Sequence, residues 1–306
     1  MKIGMLFPDY GSQFVGMGKE LYDNSRLIQE YFEEAFNCLD INFVKLCFAS
    51  SDAELAKLEN AYVSIFLISV ATAALLKQEN IVPTTVSGYG IGELSAICVA
   101  DGLSFPDGLY FLNKFAYFYH ESLATLSVSL VKIEGVSTKI VTQLIKEQKN
   151  GSLAIAVFES EDQHLISGTK NAVEGFKQRC AEQKIITRDL PVEKGLHSNL
   201  MDSVVNQLII YLQKIDFKNI SIPLIASVDG AIILKKDLVK RRIIKQIQAP
   251  IYWNKVLQQV YDWDIVIEIG PGTTLTKLVQ QKYPEKNIFS INKMSDIEEL
   301  KKVVFK

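Results

Sequence analysis

The chain has 306 residues, 48% of them hydrophobic and 22% charged, with a formal net charge of −2. That length accommodates about two domains, or one large core with an insertion, and the near-neutral balance leaves no electrostatic footprint for nucleic acid or an anionic membrane. Cys38, Cys47, Cys98 and Cys180 are scattered without a Cys-x-x-Cys pair, which reads as reduced, buried thiols in a cytoplasmic protein, with no metal site and no cofactor expected.

The opening "MKIGMLFP" carries one lysine and few apolar residues before Pro8, a short strand over Ile3–Phe7 rather than a signal peptide. A helix is expected near Met17–Leu39. The run "AYVSIFLISVATAALL", Ala61–Leu76, is shorter than the roughly 20 residues that span a bilayer and carries Ser64, Ser69 and Thr72. It is expected to be a helix buried on all sides. A strand over Thr84–Ser87 then leads into "SGYGIGELSA", residues 87–96, with a helix starting at Gly92-Glu93-Leu94. Strand, tight turn and helix in that order is how several enzyme classes raise a serine nucleophile. Here the centre of the turn is Gly90. Residues Pro106–Ala124 follow as an aromatic-rich helix.

Between about Ser127 and Val192 the rhythm changes. "SVSLVKIEG" reads as a strand, "VSTKIVTQLIKEQKN" as a helix, and "GSLAIAVFES" and "QHLISG" as strands. "KNAVEGFKQRCAEQ" is a helix and "KIITRDLPV" a last strand. This βαββαβ order is that of a ferredoxin-like unit. After Leu196 the α/β pattern returns, and "WDIVIEIGPG" is a buried strand ending in the turn Gly270-Pro271-Gly272, before a helix at Leu275. The predicted fold class is therefore α/β: a larger, α/β-hydrolase-like domain with a mostly parallel sheet (1–126 and 193–306) and an inserted ferredoxin-like subdomain (127–192). "GPGTTL" lacks the lysine and spacing of a phosphate loop. "LKKDLVKRRIIKQ", Leu234–Gln246, reads as the solvated face of a helix, with a surface for an acidic protein at Lys240, Arg241, Arg242 and Lys245 as the alternative.

Five segments in this order resemble the malonyl-CoA:acyl-carrier-protein transacylase family, over nearly the whole chain. "FPDYGSQFVGMG" (Phe7–Gly18) is similar to that family's F-P-G-Q-G-S-Q-x-x-G-M-G opening, and "SGYGIGELSA" to its G-H-S-x-G-E elbow. "LPVEKGLHSNLM" (Leu190–Met201) resembles the segment of the catalytic histidine; "QIQAPIYW" (Gln246–Trp253) and "EIGPGTTL" (Glu268–Leu275) match later landmarks. The resemblance implies ping-pong transfer of a malonyl group from coenzyme A, through a serine ester, to the thiol of an acyl carrier protein in fatty-acid or polyketide metabolism. Such chemistry needs a base beside the hydroxyl, prearranged donors for the oxyanion and a bidentate cation for the malonyl carboxylate.

Carried over residue by residue, the resemblance keeps the scaffold and loses the reagents. His197 matches the catalytic histidine, as a relic or a base. Gly90 stands where the serine would, and a glycine has no atom on which to form an ester, though it accepts a positive φ at no steric cost. Tyr89 replaces the preceding histidine and, offset by one residue, points elsewhere. Tyr10 falls on the first glutamine of the opening motif, linked to the oxyanion site, where its ring is expected to plug the pocket. Tyr62 falls on a further pocket glutamine, and Ile91 follows the missing nucleophile. Phe115 falls on the malonyl-binding arginine; Lys114, about 100° round the helix, is a poor substitute. Glu93 is either a first-turn carboxylate, favourable against the helix dipole, or a partner for a subdomain residue. The reading that follows is a degenerate acyltransferase acting by binding a carrier protein, an acyl-CoA or a partner acyltransferase. The alternative is an active transferase or thioester hydrolase on a non-malonyl group, with His197 activating water or a thiol.

Overall fold

The computed structural model describes residues 1–124, 126–148, 151–190 and 197–305. In chain order the first elements are β1 (Ile3–Phe7), α1 (Lys19–Asn24), α2 (Arg26–Leu39), α3 (Phe43–Ala49), α4 (Asp52–Leu55), α5 (Leu58–Gln78), β2 (Thr85–Gly88), α6 (Gly92–Val99) and α7 (Phe105–Leu123). The middle holds β3 (Val128–Glu134), α8 (Thr138–Lys146), β4 (Leu153–Phe158), β5 (Gln163–Thr169), α9 (Lys170–Glu182) and β6 (Thr187–Asp189). The last third adds α10 (Asp202–Leu212), β7 (Leu224–Ile225), β8 (Ile232–Ile233), α11 (Lys236–Gln248), α12 (Trp253–Val260), β9 (Ile265–Ile269), α13 (Thr274–Lys282), β10 (Ile288–Ile291) and α14 (Met294–Val304).

Two sheets result. The first runs β10-β9-β1-β2-β7-β8 and is parallel throughout except for the terminal hairpin of β7 with β8. The second runs β4-β5-β3-β6 with antiparallel pairing, the strand order of a ferredoxin-like unit. The α/β fold class with that subdomain is thus the observed one. Two adjacent interior strands of the first sheet, β1 and β9, are buried along their whole length, as a parallel sheet covered on two faces requires. Against it lies α5, in which every residue from Ala61 to Ala73 is buried. This helix is long and apolar enough to cross a membrane by composition, but α2, α6, α7 and β9 surround it.

The single helix expected near Met17–Leu39 is two. Ser25 interrupts it with extended backbone (φ −137°, ψ 118°) and its hydroxyl accepts from the Ile28 N–H, so a polar N-cap ended the periodic stretch that apolar spacing had joined. The short α3 and α4 were not anticipated, although Asn42 and Ser51 cap them in the same way. The last subdomain strand is confined to Thr187–Asp189; Pro191 and Val192, counted in it from sequence, lie outside the described residues, as do Lys149, Asn150 and the 192/193 boundary.

The subdomain is tied to the larger sheet by backbone and by apolar contact. Phe158 N–H donates to Ile251 O at 2.8 Å and Ile251 N–H to Ala156 O at 2.9 Å. Leu130, Ala156 and Val157 pack with Ile225, Ile251, Trp253 and Val266 in one buried cluster. Each such side chain contributes roughly 1.5–3 kcal/mol when fully buried. The junction holds β3 and the loop after β4 over the end of β2.

Candidate active site

The elbow between β2 and α6 explains its own three glycines. A Cβ at Gly88 would stand 2.0 Å from Glu93 N, and one at Gly92 2.1 Å from Phe7 O. The β1 and β2 ends approach so closely that Tyr89 N–H donates to Phe7 O at 2.9 Å. Gly90 has φ +54°, the left-handed region that costs a residue with a Cβ roughly 1–2 kcal/mol. The space there is taken by a side chain rather than by backbone. A Cβ at position 90 would lie 1.9 Å from Oδ2 of Asp9 and 2.4 Å from its Cγ.

Asp9, in the loop after β1, is the cleft residue that the motif reading passes over. Its Oδ1 accepts from the Tyr10 N–H at 2.6 Å and from the Ile91 N–H at 3.3 Å. Two backbone donors therefore converge on one oxygen beside the elbow apex, the arrangement that stabilises an oxyanion, and the chain's own carboxylate occupies it. The signal was present: in "FPDYGSQ" Asp9 stands on the first glycine of the opening motif.

Around this point lies a cleft of about 370 Å³, lined among others by Asp9, Tyr10, Tyr89, Lys132, Glu159, Arg188 and His197. His197 is buried, with φ +61°. Its Nδ1–H donates to Gln246 O at 2.6 Å and its backbone N–H to Ile247 O at 2.9 Å, both carbonyls belonging to α11. That bond fixes the tautomer and leaves Nε2 as the ring's acceptor. Gln246 in turn donates from Nε2 to Gly90 O at 2.5 Å and to Ser227 Oγ at 3.2 Å, so the histidine loop and the elbow share one residue.

Tyr89 packs edge-on against Trp253 (5.1 Å, 69°) and donates from its hydroxyl to Glu159 Oε1 at 3.1 Å. Burial first, and then the Glu159 charge, push its phenol well above the ordinary range, so it is a poor nucleophile. Glu159 also takes Lys132 Nζ at 3.0 Å, which leaves Arg188 as an exposed cation at the cleft.

The structure does not gather all the candidates. Tyr10 and Tyr89 line the cleft with His197, but Tyr62, Ile91 and Phe115 do not. The Tyr10 hydroxyl donates to Ala56 O at 2.7 Å, and its ring meets Tyr62 edge-on at 6.0 Å; the group in the oxyanion position is Asp9, not the Tyr10 ring. Tyr62 is fully buried and stacks on Phe115 (5.5 Å, 7°). Phe115 and Ile91 face a separate cavity of only about 20 Å³, room for about one water. Lys114 lies over the rings of Tyr110 and Tyr211 instead. Of the basic residues on α11, Arg242 pairs with Asp229, while Arg241 and Lys245 are exposed.

Glu93 lies in the first turn of α6 but pairs with the larger domain, not the subdomain: its Oε2 accepts from Ser227 N–H at 2.7 Å and Ser227 Oγ–H at 2.6 Å. Burial raises its carboxyl to about 7, against the lowering effect of the Ser227 hydrogen bonds and Arg242. Because the folded value exceeds the unfolded one near 4.5, its contribution to stability is complete below pH 4.5 and is lost as pH rises through 7. That displacement corresponds to at most about 3 kcal/mol. Glu93→Gln keeps an oxygen for Ser227 and removes the charge. In urea titrations between pH 5 and 8 it should flatten the decline in stability; an unchanged slope would assign the decline elsewhere, for instance to buried Glu268, whose carboxyl burial also raises.

Comparison with known proteins agrees with this geometry. The model of the acyl transferase domain family matches residues 5–301. A malonyl CoA-acyl carrier protein transacylase of Bacillus subtilis is 31% identical over 286 residues, 92% of this chain and 90% of that protein. A Staphylococcus aureus protein of the same name is 25% identical over 97% of both chains. Among solved structures, a malonyl CoA-acyl carrier protein transacylase from Clostridium perfringens superposes with a TM-score of 0.94 at 25% identity, covering 100% of this chain and 98% of that one. A malonyl-transacylase solved with a type II polyketide acyl-carrier protein gives 0.94 at 22% identity over the whole of both chains. With a strand–elbow–helix nucleophile turn, two converging backbone donors and a histidine anchored on α11, this chain belongs to the acyl transferase domain family.

Proposed function

We propose that this protein is a malonyl-CoA:acyl-carrier-protein transacylase homologue of fatty-acid or polyketide metabolism that binds its thioester or carrier-protein ligand without forming an acyl-enzyme. One observation carries the reading: the elbow apex is Gly90, with no hydroxyl, and the Asp9 carboxylate stands where a side chain would begin. The cleft suits a pantetheine arm, with apolar walls from Leu130, Ala156 and Leu165 and the exposed Arg188 for a phosphate. The outer face of α11, with Arg241 and Lys245 exposed, offers charge complementarity to an acidic carrier protein. Its four cysteines are free, with Cys47 and Cys180 buried as expected, Cys98 half-buried and Cys38 exposed on α2, which suits a reducing, cytoplasmic compartment.

The test is calorimetric titration with coenzyme A and with a holo-acyl carrier protein, beside a steady-state transacylation assay. Measurable affinity without turnover is the expected result. Binding of neither ligand removes the reading, and turnover abolished by His197→Ala would replace it with an enzyme that activates water or a thiol.

A further inference from the structure

We infer that this cleft receives an unacylated thiol in preference to an acyl thioester, because the seat for the thioester oxygen already holds Asp9. The inference rests on the binding role proposed above and specifies its ligand. Two side chains compete for one volume at the elbow. A Cβ at position 90 would fall 1.9, 2.4 and 3.0 Å from Oδ2, Cγ and Oδ1 of Asp9, so a serine there requires this carboxylate to leave its place. The oxygen-bearing side chain has in effect moved from the α6 side of the junction to the β1 side.

The consequence is chemical. Asp9 Oδ1 takes both converging N–H groups, those of Tyr10 and Ile91. A thioester carbonyl arriving at that point would meet a carboxylate oxygen that already holds both of those donors, and an acceptor facing an acceptor in a partly enclosed cleft is costly. Oδ2 points the other way in its preference. It accepts no hydrogen bond among the described residues, while Asp9 lines the cleft. An alkyl thiol titrates near 8.5 and remains protonated at neutral pH, so its S–H can donate to Oδ2. Coenzyme A or a holo-carrier arm satisfies this site and an acylated one does not.

Calorimetry with coenzyme A and acetyl-coenzyme A, on the wild type and Asp9→Gly, tests the preference. The wild type should favour the free thiol by at least roughly tenfold, and Asp9→Gly should erase or reverse that ratio. Equal wild-type affinities, or a ratio unmoved by Asp9→Gly, overturn the inference. If the wild type binds neither ligand, the proposed binding role fails, and the occupied seat is judged separately with a fluorophosphonate that labels serines beside a working oxyanion site. Asp9→Gly/Gly90→Ser should be labelled at position 90 and Gly90→Ser alone should not. Labelling of the single variant, or no labelling of a double variant that melts cooperatively, overturns the occupied seat.

Discussion

Incubated with malonyl-coenzyme A, the protein is expected to keep its unmodified mass, and its transacylation rate should lie roughly 10⁶-fold below that of a family member retaining the elbow serine. The figure is the loss seen when a hydrolase triad is stripped of its nucleophile. Three features of the site point the same way. Gly90 offers no atom for an ester. The two N–H groups that would hold a tetrahedral oxyanion are engaged by Asp9 Oδ1. The hydroxyl of the adjacent Tyr89 is spent on Glu159 and is kept protonated by burial. His197 retains its anchored Nδ1 and so the form of a base, but a base accelerates nothing without a proton to take from a nucleophile in reach. Intact-mass spectrometry decides the matter. A stoichiometric adduct of malonyl mass on any residue lining the cleft would falsify the reading, and its position would name the nucleophile: Asp9 would imply a mixed anhydride, Tyr89 a phenyl ester.

How much of this was legible in the sequence depends on the distance over which each constraint acts. Period and punctuation are local, so the β-α-β-β-α-β insert and the strands at Ile3–Phe7 and Ile265–Ile269 could be read directly. Apolar spacing was misleading where a polar cap intervened, as at Ser25, since the hydrophobic face continues across the break while the backbone does not. The elbow was legible as a shape, because Gly88 and Gly92 lack room for a Cβ against backbone and Gly90 takes a positive φ. What replaced the serine was not, because Asp9 is 81 residues away in sequence and meets position 90 only through the parallel pairing of β1 with β2. Reading the two motifs side by side, a glycine gained at one and lost at the other, is the signal that would have found it. The aromatic substitutions posed the opposite problem. Tyr62 and Phe115 were assigned to the ligand pocket by analogy, yet bulky rings stack on one another once the polar pair they replace is gone, and the volume closes.

Phe115→Arg should therefore destabilise the protein by roughly 3–5 kcal/mol rather than restore malonyl binding, the range for a charge left buried without a partner. Phe115 is 2% exposed and sits in a file of rings, with Tyr62 at 5.5 Å, Tyr119 at 6.0 Å and Phe111 at 6.5 Å, all within about 20° of parallel. The cavity beside it, about 20 Å³ between Ile91, Leu94, Ile243 and Ile247, admits neither a guanidinium nor the carboxylate it would pair with. Phe115→Leu separates packing from charge, since losing the ring while keeping an apolar side chain should cost about 1–2 kcal/mol. Urea denaturation of the two variants measures the difference. An arginine variant of native stability with gained affinity for malonyl-coenzyme A would show that this volume opens to a dicarboxylate thioester, and the ring stack would then be a removable filling over a competent acyl pocket.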